Sequence, residues 1–509
     1  MSEIIEHFIL GMSEASTLSN IGYALVGSVL GTAVGVLPGL GPSAALALLL
    51  PTTYGMPATP ALILLSCVYY GAQYGGSTTS ILLGVPGEAS SVVTTIDGHA
   101  MALRGRAADA LLAAGLASFF AAIIVILLIF AVAPALSLLA FQFGPEEYCA
   151  VAVLSLIAAL LASAGPRGYT LVTCLLGGLL GLVGTDVNTG QARLTIGLPE
   201  LLDGISFMSL SIGLFGYSGV LAYILRPSDP ASAAAAEDSS RGPEAGSKYR
   251  FNAMWPAAAR GTLIGTILGL LPGGGTVLAS FVSYTVEKRI PVDPKSESES
   301  GYEPEPEVGR GNIRGVAGPE AANNGAAQSA FIPMLVLGIP PNASTALMLG
   351  AMTLHNIQPG PQVMSGNPTL FWGLMASMLI GNVVLLLLNV PLIGIWTTLL
   401  RVPQSVLMLV VFLVCTLGIY ATSSSPGFDL ALALVFGVLG YAFDRLKIEP
   451  TALLLAFVLA PMVEENLSRA LVLQHGDPRM FVTRPISGAI LTVALLLLVY
   501  GFTRKRILS

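Results

Sequence analysis

The chain has 509 residues, of which 54% are hydrophobic and only 10% charged, with a net charge of -6. A soluble domain carries about 25% charged residues, so this composition excludes an ordinary soluble fold and points to a membrane protein. The four cysteines, Cys67, Cys149, Cys174 and Cys415, lie in apolar stretches without metal-type spacing and read as packing residues.

From the N-terminus, Met1–Glu14 holds no Lys or Arg and no cleavage site, so it is no signal peptide, and the first apolar segment is expected to remain as a span. Asp, Glu, Lys, Arg and His are then missing from long intervals. These run between Glu14 and Glu88, Asp109 and Glu146, Asp203 and Arg226, Arg260 and Glu287, Glu320 and His355, His355 and Arg401, and Arg484 and Arg504. A spanning helix needs about 20 mainly apolar residues, so on the order of 11 to 13 spans or re-entrant segments are expected. The runs are continuous and not alternating, which favours helices over barrel strands.

The first special segment is Pro38-Gly-Leu-Gly-Pro42. Proline removes a backbone donor and breaks a helix, and glycine permits close approach of a ligand. In lipid, such a break leaves backbone groups that protein, water or ligand must satisfy. The exposed amides of a half-helix favour an anion, and unwound carbonyls can coordinate a cation. The bland reading is a helix kink. Next, Gln73-Tyr-Gly-Gly-Ser-Thr-Thr-Ser80 places six hydrogen-bonding side chains and two glycines in a charge-free region. It reads as a site for carboxylate oxygens and a desolvated cation, or as polar glue between helices. Gly84-Val-Pro-Gly-Glu-Ala-Ser-Ser91 reads as helix, break and new helix start. Its Glu88 is either a proton or cation ligand or an N-terminal capping carboxylate. Asp97-Gly-His99, with Arg104 and Arg106, reads as an interfacial loop.

Residues 226–250 form a hydrophilic linker rich in Ala, Ser and Pro. Beyond it, Pro272-Gly-Gly-Gly275 is a second break, and 287–318 is a solvated acidic loop. Within that loop Gly309-Arg-Gly-Asn-Ile-Arg-Gly315 lacks the strand and helix context of a nucleotide-binding turn. Asn323-Asn-Gly-Ala-Ala-Gln-Ser329 and Gly338-Ile-Pro-Pro-Asn-Ala-Ser-Thr345 match the polar and third motifs above, and Asn342 falls where Glu88 falls. His355 and Glu464-Glu465 are lone features. No zinc signature, nucleophile elbow or phosphate-binding lysine motif occurs, so neither an enzyme nor an ATP-driven pump is expected.

The motifs recur in order. Gly31, Thr32, Gly35, Leu37, Pro38, Gly39 and Gly41 pair with Gly265, Thr266, Gly269, Leu271, Pro272, Gly273 and Gly275 at one offset. Residues 81–90 pair with 335–344 at a slightly different one. The expected organisation is a first transmembrane repeat at 1–225, the linker, a second repeat at 251–445, and C-terminal membrane segments at 446–509. The basic residues of 226–250, 287–318 and Arg504-Lys505-Arg506 place these segments in the cytoplasm. The N-terminus, without basic residues, fits the outside. The expected fold is thus an all-α polytopic membrane protein with two pseudo-symmetric, inverted repeats and re-entrant or broken helices.

These motifs carry a resemblance. Gly31–Arg106, with its Pro-Gly-Leu-Gly-Pro, Tyr-Gly-Gly-Ser-Thr and Ile96-Asp-Gly-His-Ala-Met101 elements, resembles the large membrane subunit of tripartite tricarboxylate transporters, the TctA family. So do Pro272-Gly-Gly-Gly275, Gly315-Val-Ala-Gly-Pro-Glu-Ala-Ala-Asn-Asn324 and Gly338-Ile-Pro-Pro-Asn-Ala-Ser344, and the likeness covers residues 20–440. It implies a small four-helix membrane partner subunit, a periplasmic solute-binding protein, a bacterial inner membrane, and import of carboxylates such as citrate driven by a cation gradient. The loop 287–318 is longer and more acidic than the family leads one to expect.

The substrate site is expected from Gly39, Gly41, Gln73, Ser77, Thr78, Thr79, Gly273, Gly274, Thr276, Asn323, Asn324, Pro340, Asn342 and Ser344. Pro38, Gly39, Ser80, Pro272, Gly275 and Thr345 are candidate ligands of a coupling Na⁺; H⁺ is the alternative coupling ion. No Arg or Lys lies in these motifs, so anion binding would rest on backbone dipoles and bound cations. No cofactor and no nucleic acid are expected; lipid surrounds the chain. The competing readings are a passive channel or facilitator for small organic anions, which needs a continuous wet path, and a membrane-embedded enzyme, which needs clustered His, Asp or Glu.

Overall fold

A chain that stays in lipid must close its backbone hydrogen bonds within each segment, and here it does so as helices. The computed structural model describes residues 2–37, 41–140, 142–162, 167–186, 190–225, 253–271, 275–291, 306–392 and 404–503. The linker 226–250, residues 292–305 of the loop 287–318, the tail Arg504–Arg506, and the break residues Pro38, Gly39, Pro272, Gly273 and Gly274 lie outside them.

The first part comprises α1 (Ser2–Ala15), α2 (Leu18–Gly35), α3 (Pro42–Leu49), α4 (Ala58–Leu83), α5 (Val92–Leu103), α6 (Ala107–Ala140), α7 (Pro145–Ala162), α8 (Arg167–Gly181) and α9 (Phe207–Leu225). The second comprises α10 (Met254–Leu270), α11 (Gly275–Arg289), α12 (Arg314–Ser329), α13 (Ala343–Leu354), α14 (Gln362–Gly366), α15 (Pro368–Asn389), α16 (Gln404–Thr422), α17 (Pro426–Arg445), α18 (Thr451–Leu473), α19 (Met480–Thr483) and α20 (Pro485–Thr503). One two-residue strand pair, Gly184–Thr185 with Ala192–Arg193, follows α8. Among the described residues, six helices are long and apolar enough to cross a membrane alone: α2, α6, α9, α15, α17 and α18. The chain is therefore an all-α, multi-pass membrane protein. All four cysteines are free, as packing residues should be.

The two helices least suited to lipid sit at the centre. In α4 every residue from Ala61 to Ile81 is buried, and in α12 every residue from Gly315 to Ser329. Both carry Ser, Thr, Asn or Gln at membrane depth, which costs several kcal/mol per unsatisfied group in hydrocarbon, so apolar neighbours shield them. Helices α2, α13 and α15 pack on α4, and α5, α6, α10 and α11 pack on α12.

Two seams of glycine make this close approach possible. Gly27, Gly31 and Gly35 of α2 rest on the carbonyls of Leu64, Val68 and Ala72; a Cβ on Gly31 would stand 2.4 Å from the Val68 oxygen. Gly261, Gly265 and Gly269 of α10 rest in the same way on Gly318, Ala322 and Ala326, and a Cβ on Gly265 would stand 2.2 Å from the Ala322 oxygen. Without a hydrophobic drive between helices in lipid, such small-residue contacts are what hold spans together.

The breaks also share a backbone. Gly84 closes α4 at φ 67°, and Gly338 closes the π-turn after α12 at φ 69°, in the left-handed region that glycine enters without strain. Glu88 (φ -142°, ψ 167°) and Asn342 (φ -149°, ψ 173°) then cap the next helical turn, each in a capping box with Ser91 or Thr345.

Asp97 corrects a sequence expectation. The segment 97–99 is no loop: it lies within α5, and Asp97 is fully buried. Its carboxylate accepts from the backbone N–H groups of Gly309 (2.9 Å), Gly311 (2.7 Å) and Asn312 (2.8 Å) and from the Tyr284 hydroxyl (3.1 Å). It thereby pins the segment leading into α12. Glu464 likewise is no lone acid; it pairs with Arg193.

Candidate functional site

The centre of the molecule, between α4 and α12, is polar and nearly free of cations. On α4, Tyr69, Gln73 and Ser77 recur every fourth residue and so share one face. On α12, Glu320 and Asn323 share a face in the same way. The two faces meet: the Ser77 hydroxyl donates to Glu320 at 2.7 Å, and the Thr94 hydroxyl of α5 donates to the other oxygen at 2.5 Å. Asn323 Nδ2 donates to Glu88 at 3.0 Å, and the Ser90 hydroxyl donates to the same Glu88 oxygen. The Tyr69 hydroxyl neighbours both Gln73 and Asn342. Each break therefore looks onto the central helix of the other half of the chain, Glu88 onto α12 and Asn342 onto α4.

Several expected site residues gather here. Ser77, Asn323 and Asn324 are buried, and Asn324 donates to Ser118 of α6 at 2.7 Å. The Gln73 amide is fully buried, and neither its oxygen nor its nitrogen has a hydrogen-bond partner among the described residues. The same is true of Gln328, of the Tyr70 and Tyr74 hydroxyls, and of the Asn323 and Asn324 amide oxygens. Buried polar atoms are normally paired, so this concentration between two helices marks a place built to meet something polar. Gly41 precedes α3, and the nearest atom to a Cβ placed there is the Glu88 Cβ at 3.9 Å. Ser43, two residues on, meets Ser344 Oγ to Oγ at 3.1 Å, which joins the first break to the start of α13. Pro340 is buried beside Asn342 in the second break.

Other candidates have structural partners. The Thr79 hydroxyl donates to the carbonyl of Val36 at 2.8 Å, where α2 ends and its last carbonyls need donors. Thr345 closes the capping box of α13, accepting from the Asn342 N–H at 3.1 Å while its own N–H donates to the Asn342 amide oxygen at 2.9 Å. Ser80 donates to Ser91 at 2.8 Å, and Thr78 bonds back to the Tyr74 carbonyl at 3.2 Å. Gly275 (φ 51°) and Thr276 open α11, half-buried, and α11 packs against the 3₁₀ turn at Ala89–Ser91.

Sequence reasoning did not single out Glu320. Its signal was there: it is the one charged residue between Arg314 and His355, directly after a proline inside a helix. Neither Glu320 nor Glu88 has an ion-pair partner among the described residues, and no cluster of three or more His, Cys, Asp and Glu that could hold a metal ion occurs among them.

Comparison with known proteins supplies the context. The profile described as "Tripartite tricarboxylate transporter TctA family" matches residues 21–455. The chain belongs to this family. Its central helices α4 and α12, both breaks and the polar faces between them all lie inside the matched region. An uncharacterized 52.8 kDa protein of Agrobacterium vitis, from the TAR-I ttuC' 3' region, is 45% identical over 504 residues, covering 97% of this chain and 95% of that protein. A second uncharacterized protein of Agrobacterium vitis, from the TAR-II ttuC' 3' region, is 47% identical over 231 residues, covering 45% of this chain and 90% of its own length. No solved structure matches the chain. TctA proteins are membrane subunits of tricarboxylate transporters, a transporter family and not an enzyme family.

Proposed function

We propose that this chain is the permease of a binding-protein-dependent, cation-gradient-driven importer of carboxylates, seated in a bacterial inner membrane. Its partners in this reading are a small four-helix membrane subunit and a periplasmic solute-binding protein. The observation that carries the reading is the unpaired polar surface between α4 and α12, faced by helix breaks from both halves of the chain. A substrate carboxylate would take hydrogen bonds there from the Gln73 amide nitrogen and the half-helix amides following Gly41 and Asn342, with no fixed cation to hold it in place. Weak, distributed donors suit a site that must release its cargo as well as bind it.

The halves are read as an inverted repeat. The support is the matched glycine seams at one offset and, at a second offset, the paired left-handed glycines and the two capping boxes. Such repeats put a substrate site where two halves meet, near mid-membrane, and let one half rock against the other.

Uptake of labelled citrate and other carboxylates into proteoliposomes tests this. The vesicles hold the chain and its small partner, with the binding protein outside, with and without an inward gradient of Na⁺ or H⁺. The expected result is accumulation above the outside concentration that needs both the gradient and the binding protein. Plain equilibration without either would replace this reading with a passive facilitator.

A further inference from the structure

Glu320 is 2% exposed at the middle of a fully buried helix, with no cationic partner among the described residues. An isolated ionised carboxylate in such a place is very costly. Its hydrogen-bond partners, Ser77 Oγ and Thr94 Oγ1 with Ser118 beside them, are all hydroxyls. A hydroxyl donates to a carboxylate or accepts from a carboxylic acid by rotating one proton. Glu320 is thus served in either charge state without moving a heavy atom. Arginine or backbone N–H partners could not do this, because they only donate.

A second carboxyl group that interacts with Glu320 stands near the same face. Asn323, one turn along α12, holds Glu88, which is only half-buried at the break that follows α4. We infer that Glu320 is a proton-binding site of the permease, loaded through Glu88, and that the bound proton is the ion coupled to carboxylate movement. This rests on the transporter reading above for its coupling role, though not for proton binding itself. The chemistry is balanced by one proton: it neutralises Glu320 on the side where the site is open and leaves when the site faces the other side.

The surroundings isolate this site from other charges. Glu88 and the Tyr74 hydroxyl are the titratable groups that interact with Glu320. Of the charges on helices packed against α12, Asp97 on α5 is taken up by the 309–312 backbone, and Glu287 on α11 by Arg260 and Arg314. His99 on α5 meets the Ile81 carbonyl, Asp109 on α6 pairs with Arg106, and Lys288 and Arg289 on α11 are exposed.

The first test needs no transport. Infrared difference spectra of the purified full-length chain, recorded across a pH series, should show a carboxylic-acid carbonyl band that persists well above about pH 4.3, where a free Glu ionises. Glu320→Gln should remove that band, Glu320→Asp should retain one, and Ser77→Ala with Thr94→Val should move its midpoint. A band unchanged in Glu320→Gln, or no such band in the wild type, overturns the site. The second test uses the proteoliposomes described above. Glu320→Gln should lose at least tenfold in accumulation driven by an acidic exterior, and its residual uptake should no longer depend on the outside pH. Undiminished acid-driven accumulation in Glu320→Gln, or accumulation driven by Na⁺ alone at constant pH, overturns the coupling role. If the wild type moves no carboxylate but its infrared band follows Glu320, the proton site stands and the transport reading falls.

Discussion

Four acids lie away from free solvent in and beside α12, and they fall into two kinds. Glu287 and Asp97, on the flank formed by α5, α10 and α11, are held chiefly by groups that can only donate, the Tyr284 hydroxyl on Asp97 being the exception. Glu287 holds Arg260 at 2.7 Å and Arg314 at 3.0 Å, and Asp97 holds three backbone N–H groups. Glu320 and Glu88, at the centre, meet hydroxyls and one amide. Burial is shared; partner chemistry is what differs. Donor-only partners freeze the charged form and turn an acid into a structural tie. Amphoteric partners leave its charge free to change, which is what a coupled transporter requires of a few groups and no others.

The contrast can be broken by isosteric neutralisation. Glu287→Gln should do the most damage, because it leaves two guanidinium groups without their carboxylate. Removing one partner of a buried pair costs about 3–5 kcal/mol, and the partial exposure of Arg260 puts the expectation near ~3 kcal/mol. Thermal unfolding in detergent should show a large fall in midpoint. Asp97→Asn comes next. One amide oxygen cannot serve three N–H groups and a hydroxyl, and charged hydrogen bonds are worth about 1.5–3 kcal/mol each. Hydrogen exchange should show early opening at 306–313. Glu320→Gln should be the mildest for folding, within about 1 kcal/mol of wild type, since a carboxamide can accept from one of the Ser77 and Thr94 hydroxyls and donate to the other. Equal destabilisation by Glu287→Gln and Glu320→Gln would erase the distinction.

Much of the fold was legible in the order of residues. Charge-free intervals long enough to span a bilayer dictate a helical membrane protein, because lipid leaves the backbone no other solution. Pro-Pro and Pro-Gly next to small polar residues marked the breaks, and residues 84–91 and 338–345 do form matching left-handed turns and caps, since these depend on a few neighbours along the chain. Part of the candidate site was legible too: Ser77, Asn323 and Asn324 stand out as polar residues in apolar surroundings, and all three are buried in the polar centre. Thr79 shows what such polarity alone leaves open. Its polarity marked it as a ligand candidate, yet it covers the Val36 carbonyl at the end of another helix.

What the sequence by itself determined, then, is the solvent this protein lives in, the class of its fold and the places where its helices stop. All of these follow from local composition and from backbone rules that act over a few residues. The tertiary structure alone decided which acids are ties and which are free. The bond from Thr94 to Glu320 closes over 226 residues of chain, and that from Asp97 to Gly309 over 212. Nothing in the local pattern of either acid says whether a guanidinium, a peptide N–H or a hydroxyl will arrive to meet it. That choice sets whether a buried carboxylate keeps its charge.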